Sequence, residues 1–209
     1  MVSFMATQTP RERRQQRTRQ EILTTALEII VEKGPDKLSL REIARRVDYS
    51  PAGLYEYFGS KDEIIDAVCE EGDRRLHNML QSVPESLSVV EYLVQLGLAY
   101  VQFAIENTAH FMLVFTQLSP SGASKPIESF EPDPTYGIVY AAVQRGVEEG
   151  VLLLREGQTL HDVAVGLWSV GHGLAMLRVT KLRSVEFDFA RADRETLKAL
   201  IRGLGQDDS

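Results

Sequence analysis

The sequence predicts an all-α protein, on three observations. Helix-start signals recur along the chain, the apolar residues between them repeat at helical spacing, and no stretch alternates convincingly at the period of two that a half-buried strand needs. The start signals are four S/T-x-x-E boxes, pairing Thr9 with Glu12, Ser39 with Glu42, Ser60 with Glu63 and Ser88 with Glu91. In such a box the hydroxyl accepts from the N–H three residues on, while the glutamate reaches back to the cap N–H. Pro10 and Pro51 each follow a cap residue, at the first helical position, where a missing N–H costs nothing.

Each element follows from its apolar face. Ile22, Leu23, Ala26, Leu27, Ile30 and Val31 line a first helix, which Gly34-Pro35 ends. Leu40, Ile43, Ala44 and Val47 line a short second helix, and Leu54 and Phe58 lie one turn apart on a third. Ile64, Ile65, Val68, Cys69, Leu76, Met79 and Leu80 continue a fourth that stops near Pro84. Helices are then expected over 88–107, 109–117, 134–149, 160–181 and 193–203, with residues 119–134 and their four prolines as a long loop.

Composition bounds the function. A chain of 209 residues, 44% hydrophobic and 25% charged, folds rather than remaining disordered. The charge-free run 163–177 is fifteen residues, short of a membrane span, and the N-terminus lacks the apolar stretch of a secretory signal. The lone cysteine, Cys69, cannot close an internal disulfide, and a reducing cytoplasm fits it. Net charge is −7, but its distribution is uneven: residues 1–61 carry +3 and residues 62–209 carry −10. A basic front on an acidic body implies that only the front meets a polyanion.

That front contains SPAGLYEYFGSKDE, with three aromatic rings in four positions. The second and third helices and the turn at 48–50 form a helix-turn-helix in outline, a motif that lays its second helix in the DNA major groove. Ser50 and Pro51 start that helix, and Ala52 and Gly53 keep its leading surface small enough to approach base edges. Leu54 and Phe58 point back into the core. Tyr55 and Tyr57 carry phenol groups able to reach phosphates or bases, Lys61 adds a charge at the start of the fourth helix, and Arg14 and Arg17 belong to the basic arm.

The elements ALEIIVEKG and LSLREIARRVDYSPAGLYEYFGSKDEII resemble the tetracycline-repressor (TetR) family of bacterial transcriptional regulators over about residues 17–66. The resemblance implies a homodimer on a pseudo-palindromic, double-stranded operator, released when a small-molecule effector binds the C-terminal domain. It matches Ser39, Tyr55 and Lys61 to phosphate-contact positions, and Arg41, Pro51, Ala52, Gly53 and Tyr57 to positions facing the major groove. Asp48 stands where the family usually has glycine. Aspartate tolerates the left-handed backbone better than most residues, so the turn is expected to survive at small cost. The expected domains are a helix-turn-helix DNA-binding domain over 10–80, with its motif at about 40–59, and a helical effector-binding and dimerisation domain over 81–209.

In the second half, GLWSVGHGLAML resembles a subgroup with a tryptophan followed by His-Gly. A helix without formal charge over 163–177 has no face suited to water, so a partner is expected to cover one. Gly166, Ser169 and Gly173 form a narrow strip, and with Leu177, Leu197, Leu200 and Ile201 they are the expected dimer interface. Phe103, Phe111, Met112, Phe115, Tyr140, Trp168 and His172 are expected to line an effector pocket for an apolar or aromatic molecule. No metal, cofactor or catalytic site is expected. His161 and His172 share a helix face but lie about 16 Å apart, too far for one ion. The stretch Trp168-Ser169-Val170-Gly171 has leucine where a nucleophile elbow needs glycine. His172 is instead expected to pack or hydrogen-bond beside Trp168. The competing class is an all-helical small-molecule carrier or enzyme, which has no use for Tyr55, Tyr57, Lys61 and a basic arm on one face.

Overall fold

The computed structural model describes residues 9–116 and 134–205. Among the described residues there are nine α-helices, one 3-10 turn and no strand, so the all-α expectation holds. The helices are α1 (Pro10–Lys33), α2 (Leu40–Arg46), α3 (Pro51–Leu54), α4 (Lys61–Gln81), α5 (Val89–Glu106), α6 (Thr108–Thr116), α7 (Pro134–Glu148), α8 (Leu160–Val179) and α9 (Phe189–Leu204). The loop expected over 119–134 lies outside the described residues except for Pro134, which opens α7.

Of the four expected capping boxes, only Thr9 closes in full, with Thr9 N–H donating to Glu12 at 2.7 Å and Glu12 N–H to the Thr9 hydroxyl at 3.2 Å. Ser39, Ser60 and Ser88 each accept from the N–H three residues on. Their glutamates go elsewhere, two of them to charged arginine donors. Glu42 takes Arg45 and Arg46, Glu63 takes the Gly59 N–H, and Glu91 takes Arg194 and Gln95. A box the sequence reading misses, Thr159 with Asp162, caps α8, since aspartate fills the role expected of glutamate.

The chain divides into two compact units. The first comprises residues up to Glu71 together with a segment from Leu113, and the second begins at Gly72. The division therefore falls inside α4, whereas the sequence places it at 80/81, near the visible break at Pro84. In the first unit Ile22, Ala26, Ile29, Ile43, Leu54, Phe58 and Ile64 are all but inaccessible and form one core. One assignment on α1 is corrected: Val31 is 64% exposed, and Ile29, at 0%, takes the place expected for it. The helix turns about 100° per residue, and the core lies on the Ile22/Ala26/Ile29 side. Gly34 ends α1 at φ 82°, its N–H donating to Ile30 at 2.8 Å.

In the second unit α5 is the central helix, with α7, α8 and α9 packed on it. It is long and apolar enough to cross a membrane by composition, yet Leu93, Val94, Val101, Phe103 and Ala104 are buried against its neighbours. Gly97 is what admits α9 so closely, since a Cβ there would stand 2.8 Å from Leu197. Arg178 closes α8 onto α9 through a 3.1 Å ion pair with the buried Asp193.

Candidate nucleic-acid interface

The helix-turn-helix is built from two backbone devices. Asp48 is the single non-glycine among the described residues with positive φ, at 53°, so the left-handed conformation expected of it is present. Ser50 then caps α3, accepting from Gly53 N–H at 3.0 Å. The helix is short: after Leu54 the chain closes two further bonds, Tyr57 and Phe58 N–H both donating to the Leu54 carbonyl. Leu54 and Phe58 anchor it in the core as expected, and Arg19 of α1 lies over the Phe58 ring at 4.9 Å.

Most of the sequence-assigned residues are open to solvent. Ser39, Arg41, Ser50, Pro51, Ala52 and Tyr55 are exposed, as are Arg14 and Arg17, while Gly53, Tyr57 and Lys61 are half-buried. The arginines of α2 differ in what they can offer DNA. Arg46 is held by Glu32 at 2.6 Å and Glu42 at 3.1 Å, and Arg45 by Glu42. Hydrogen bonds from Arg45, Arg46 and Lys33 push the Glu42 carboxyl down to about 2 and keep it charged. Arg41 is exposed and has no ion pair among the described residues. Arg46 thus fastens α2 to α1, Arg45 is held within α2, and the third cation is available to a phosphate or a base.

Two expectations change in detail. The sequence assigns Gly53 to close base approach, and its missing side chain also makes room for a neighbouring ring. A Cβ there would meet the Tyr49 ring at 3.0 Å. Tyr57 is not a free phenol either: it stands edge-on to Tyr49, ring centroids 6.2 Å apart. Tyr49, which the sequence reading leaves unassigned, is 43% exposed beside them. The signal that could have found it is its place directly after a left-handed residue, which swings the next side chain across the following helix.

In the second unit, four of the residues expected around an effector meet in an aromatic network with Tyr100, Tyr136 and His161. Phe111 packs on His172 with centroids 5.4 Å apart, Tyr140 on His161 at 4.6 Å, and Trp168 on Tyr136 at 6.3 Å. Two phenol–imidazole bonds run through it: Tyr100 to His172 Nδ1 at 2.9 Å and Tyr136 to His161 Nδ1 at 2.8 Å. Trp168 Nε1–H donates to the Tyr100 oxygen at 3.3 Å, so His172 hydrogen-bonds beside Trp168 as expected. Burial lowers the His172 pKa and raises that of Tyr100, leaving both neutral. Phe103 is wholly buried, Met112 is half-buried, and Phe115 belongs to the first unit. An open cavity of about 510 Å³ lies elsewhere, between Met79, Val83 and Leu87 on one side and Gln95, Ala99 and Gln102 of α5 on the other.

Of the interface residues, Gly166, Ser169, Gly173 and Leu177 are exposed along one stripe of α8, and a Cβ on either glycine meets nothing within 4 Å. Leu197 and Ile201 are corrected: at 2% and 1% exposure they belong to the protomer's own core, because the apolar face of α9 turns toward α5. Leu200 is half-buried. Among the described residues no group of His, Cys, Asp and Glu is arranged to hold a metal ion.

Known proteins share this sequence pattern and this geometry. Residues 22–68 match the family model of bacterial regulatory proteins of the tetR family, and residues 93–204 match that of the tetracyclin repressor-like C-terminal domain. The transcriptional regulator UidR of Escherichia coli K12 is 32% identical over 80 residues, 38% of this chain and 41% of that protein. The transcriptional repressor Rv3405c of Mycobacterium tuberculosis is 31% identical over 83 residues, 37% of this chain and 44% of that one. These matches span less than half of either relative. The crystal structure of SCO4313 is similar at 26% identity and TM-score 0.70, over 92% of this chain and 98% of that one. PfmR from Thermus thermophilus, at 23% identity, covers 96% and 100% with TM-score 0.67 and shares the fold.

Proposed function

Because this chain belongs to the TetR family of bacterial transcriptional regulators, which bind DNA through their helix-turn-helix, we propose that it acts as a homodimeric repressor, released from a pseudo-palindromic operator by a small apolar or aromatic molecule. The observation that carries the operator reading is the exposed Arg41, without an ion pair among the described residues, together with the exposed Ser50, Pro51, Ala52 and Tyr55, while Arg45 and Arg46 are spent on carboxylates. Ser39, Tyr55, Lys61, Arg14 and Arg17 position the protein on phosphates. Arg41 and the start of α3 read bases.

Dimerisation is supported by the stripe of α8, where Gly166, Ser169, Gly173 and Leu177 leave an apolar, close-approach surface uncovered in the protomer. One reading helix per subunit then requires two, about 34 Å apart or a multiple of that, on one face of DNA. The effector reading is supported by the Tyr100, Tyr136, Trp168 and His172 network, whose clustered rings suit an apolar or aromatic molecule. In this reading residues 10–80 bind DNA, residues 81–209 bind effector and partner, and the protein works in the cytoplasm without cofactor, metal or catalysis. Trp168 followed by His172-Gly173 supports a place in the corresponding subgroup of the family.

Selection of bound sequences from random duplexes by the purified protein tests the reading. Two-fold related half-sites spaced by whole helical turns are expected, and failure to enrich any sequence would falsify it. For the effector, calorimetry with and without operator must show the same factor in both directions, typically about 1–3 kcal/mol of coupling.

A further inference from the structure

Tyr49 occupies a place that neither the DNA-contact assignments nor the core accounts for. Its ring is 43% exposed, unlike Leu54 and Phe58 at 0% and 1%, so it is no buried spacer. Asp48 at φ 53° turns the chain so that the next side chain crosses α3 instead of leaving with solvent. The ring then lies on the backbone of Gly53, where any side chain would put a Cβ 3.0 Å from Tyr49 Cδ1 and 3.1 Å from Cε1. On its other side it meets Tyr57 edge-on, interplanar angle 79°. The neighbouring Tyr57 phenol is the first cause of its raised pKa. Tyr49 thus packs against both Gly53 and Tyr57, two residues assigned to the groove.

We propose that Tyr49 is a specificity-determining residue of the DNA-reading surface, its exposed ring contacting the 5-methyl group of a thymine in the major groove of each half-site. This rests on the reading of α3 as the helix that enters the groove. The chemistry follows from what the ring has left to offer. What it lays on the reading helix is ring carbon, Cδ1 and Cε1 against Gly53, and an aromatic carbon surface gains nothing from a phosphate oxygen. The base edges of the major groove present donors, acceptors and one apolar projection, the thymine methyl. An apolar ring packed against Gly53 of the reading helix matches that projection alone. The glycine at 53 has its reason here too: it lets the ring lie close against the helix, so ring and helix enter together.

The test uses the full-length protein and the operator recovered by random-duplex selection. Each thymine of one half-site, and then of both, is replaced by deoxyuridine, which removes the methyl group and nothing else. Wild-type protein should lose about fourfold in affinity per half-site at one symmetric thymine, the worth of one buried methyl. Tyr49→Ala should bind more weakly and no longer distinguish thymine from deoxyuridine there, and Tyr49→Phe should keep the distinction. Circular dichroism of the variants checks their fold, and Tyr49→Gln, which keeps a side chain over Gly53 but ends in a polar group, stands in if the alanine variant unfolds. If the folded variant weakens all duplexes equally and retains the thymine preference, the residue is a positioning one and the proposal is overturned. Wild-type protein that selects no sequence at all would instead overturn the DNA reading on which it rests.

Discussion

Replacing Gly173 by leucine isolates the proposed dimer interface from the stability of the protomer. Gly173 is exposed, and a Cβ placed on it meets no atom within 4 Å, so the larger side chain has room in the single subunit. Helix propensity even favours it, by somewhat under about 1 kcal/mol relative to glycine. Against a partner helix the same side chain overpacks. Overpacking costs about 1–3 kcal/mol per site, and a two-fold interface contains the site twice, about 2–6 kcal/mol in all. The dissociation constant of the dimer should therefore rise by about 30-fold at least, and by as much as about 10⁴-fold. Sedimentation equilibrium reads that directly, with far-ultraviolet dichroism confirming that α8 remains helical. Operator titration should show a parallel loss although Arg41, Tyr55 and Lys61 are untouched. A variant that is folded, dimeric and binds normally would place the interface on another surface.

Three other outcomes are expected. If the dimer neutralises about six phosphates, log K should fall with log salt at a slope near −5, and Lys61→Ala should flatten it by about two units, one per subunit. An unchanged slope removes Lys61 from the contacts. Asp48→Gly should raise stability by a few tenths to about 1 kcal/mol by relieving the left-handed backbone, and Asp48→Val should lower it by about 1–2 kcal/mol; urea unfolding compares them, and equal midpoints would show the turn to be unstrained. The Glu42 carboxyl, depressed from 4.5 to about 2, adds stability that is fully present above 4.5 and is lost as pH falls through 2. Urea midpoints over that window should fall less for Glu42→Gln, and added salt should shrink the difference because the network is exposed.

The fold is legible in the sequence because its signals are local. Gly34 after Ile30, Ser50 before Pro51 and the Leu54/Phe58 pair each specify their own backbone, and all three behave as their chemistry requires. What escapes depends on orientation. A helical repeat says that α1 and α9 each bury a face, but not toward which neighbour. Val31 thus stands in the sequence reading where Ile29 belongs, and Leu197 and Ile201 turn to α5 rather than to a partner. Partners of long polar side chains are equally non-local. Glu42 and Glu91 abandon their caps for Arg46 and Arg194, and nothing in the S-x-x-E spacing announces an arginine that the fold brings alongside. At the proposed DNA-reading surface the candidate residues sit where their neighbours put them. Tyr49 escapes notice because a turn residue carries no periodicity.

The hydroxyl of Tyr100 has a consequence for which substitutions that core can accept. Trp168 donates to the Tyr100 oxygen, and the same hydroxyl bonds His172 Nδ1. One oxygen therefore serves two rings from the same helix, four residues apart. Phenylalanine, nearly identical in shape, would remove both of these bonds at a stroke. Tryptophan and histidine on α8 are thereby bound to one tyrosine on α5 as a set. A change at any one of the three alters what the other two are allowed to be, and their effects on stability should fail to add.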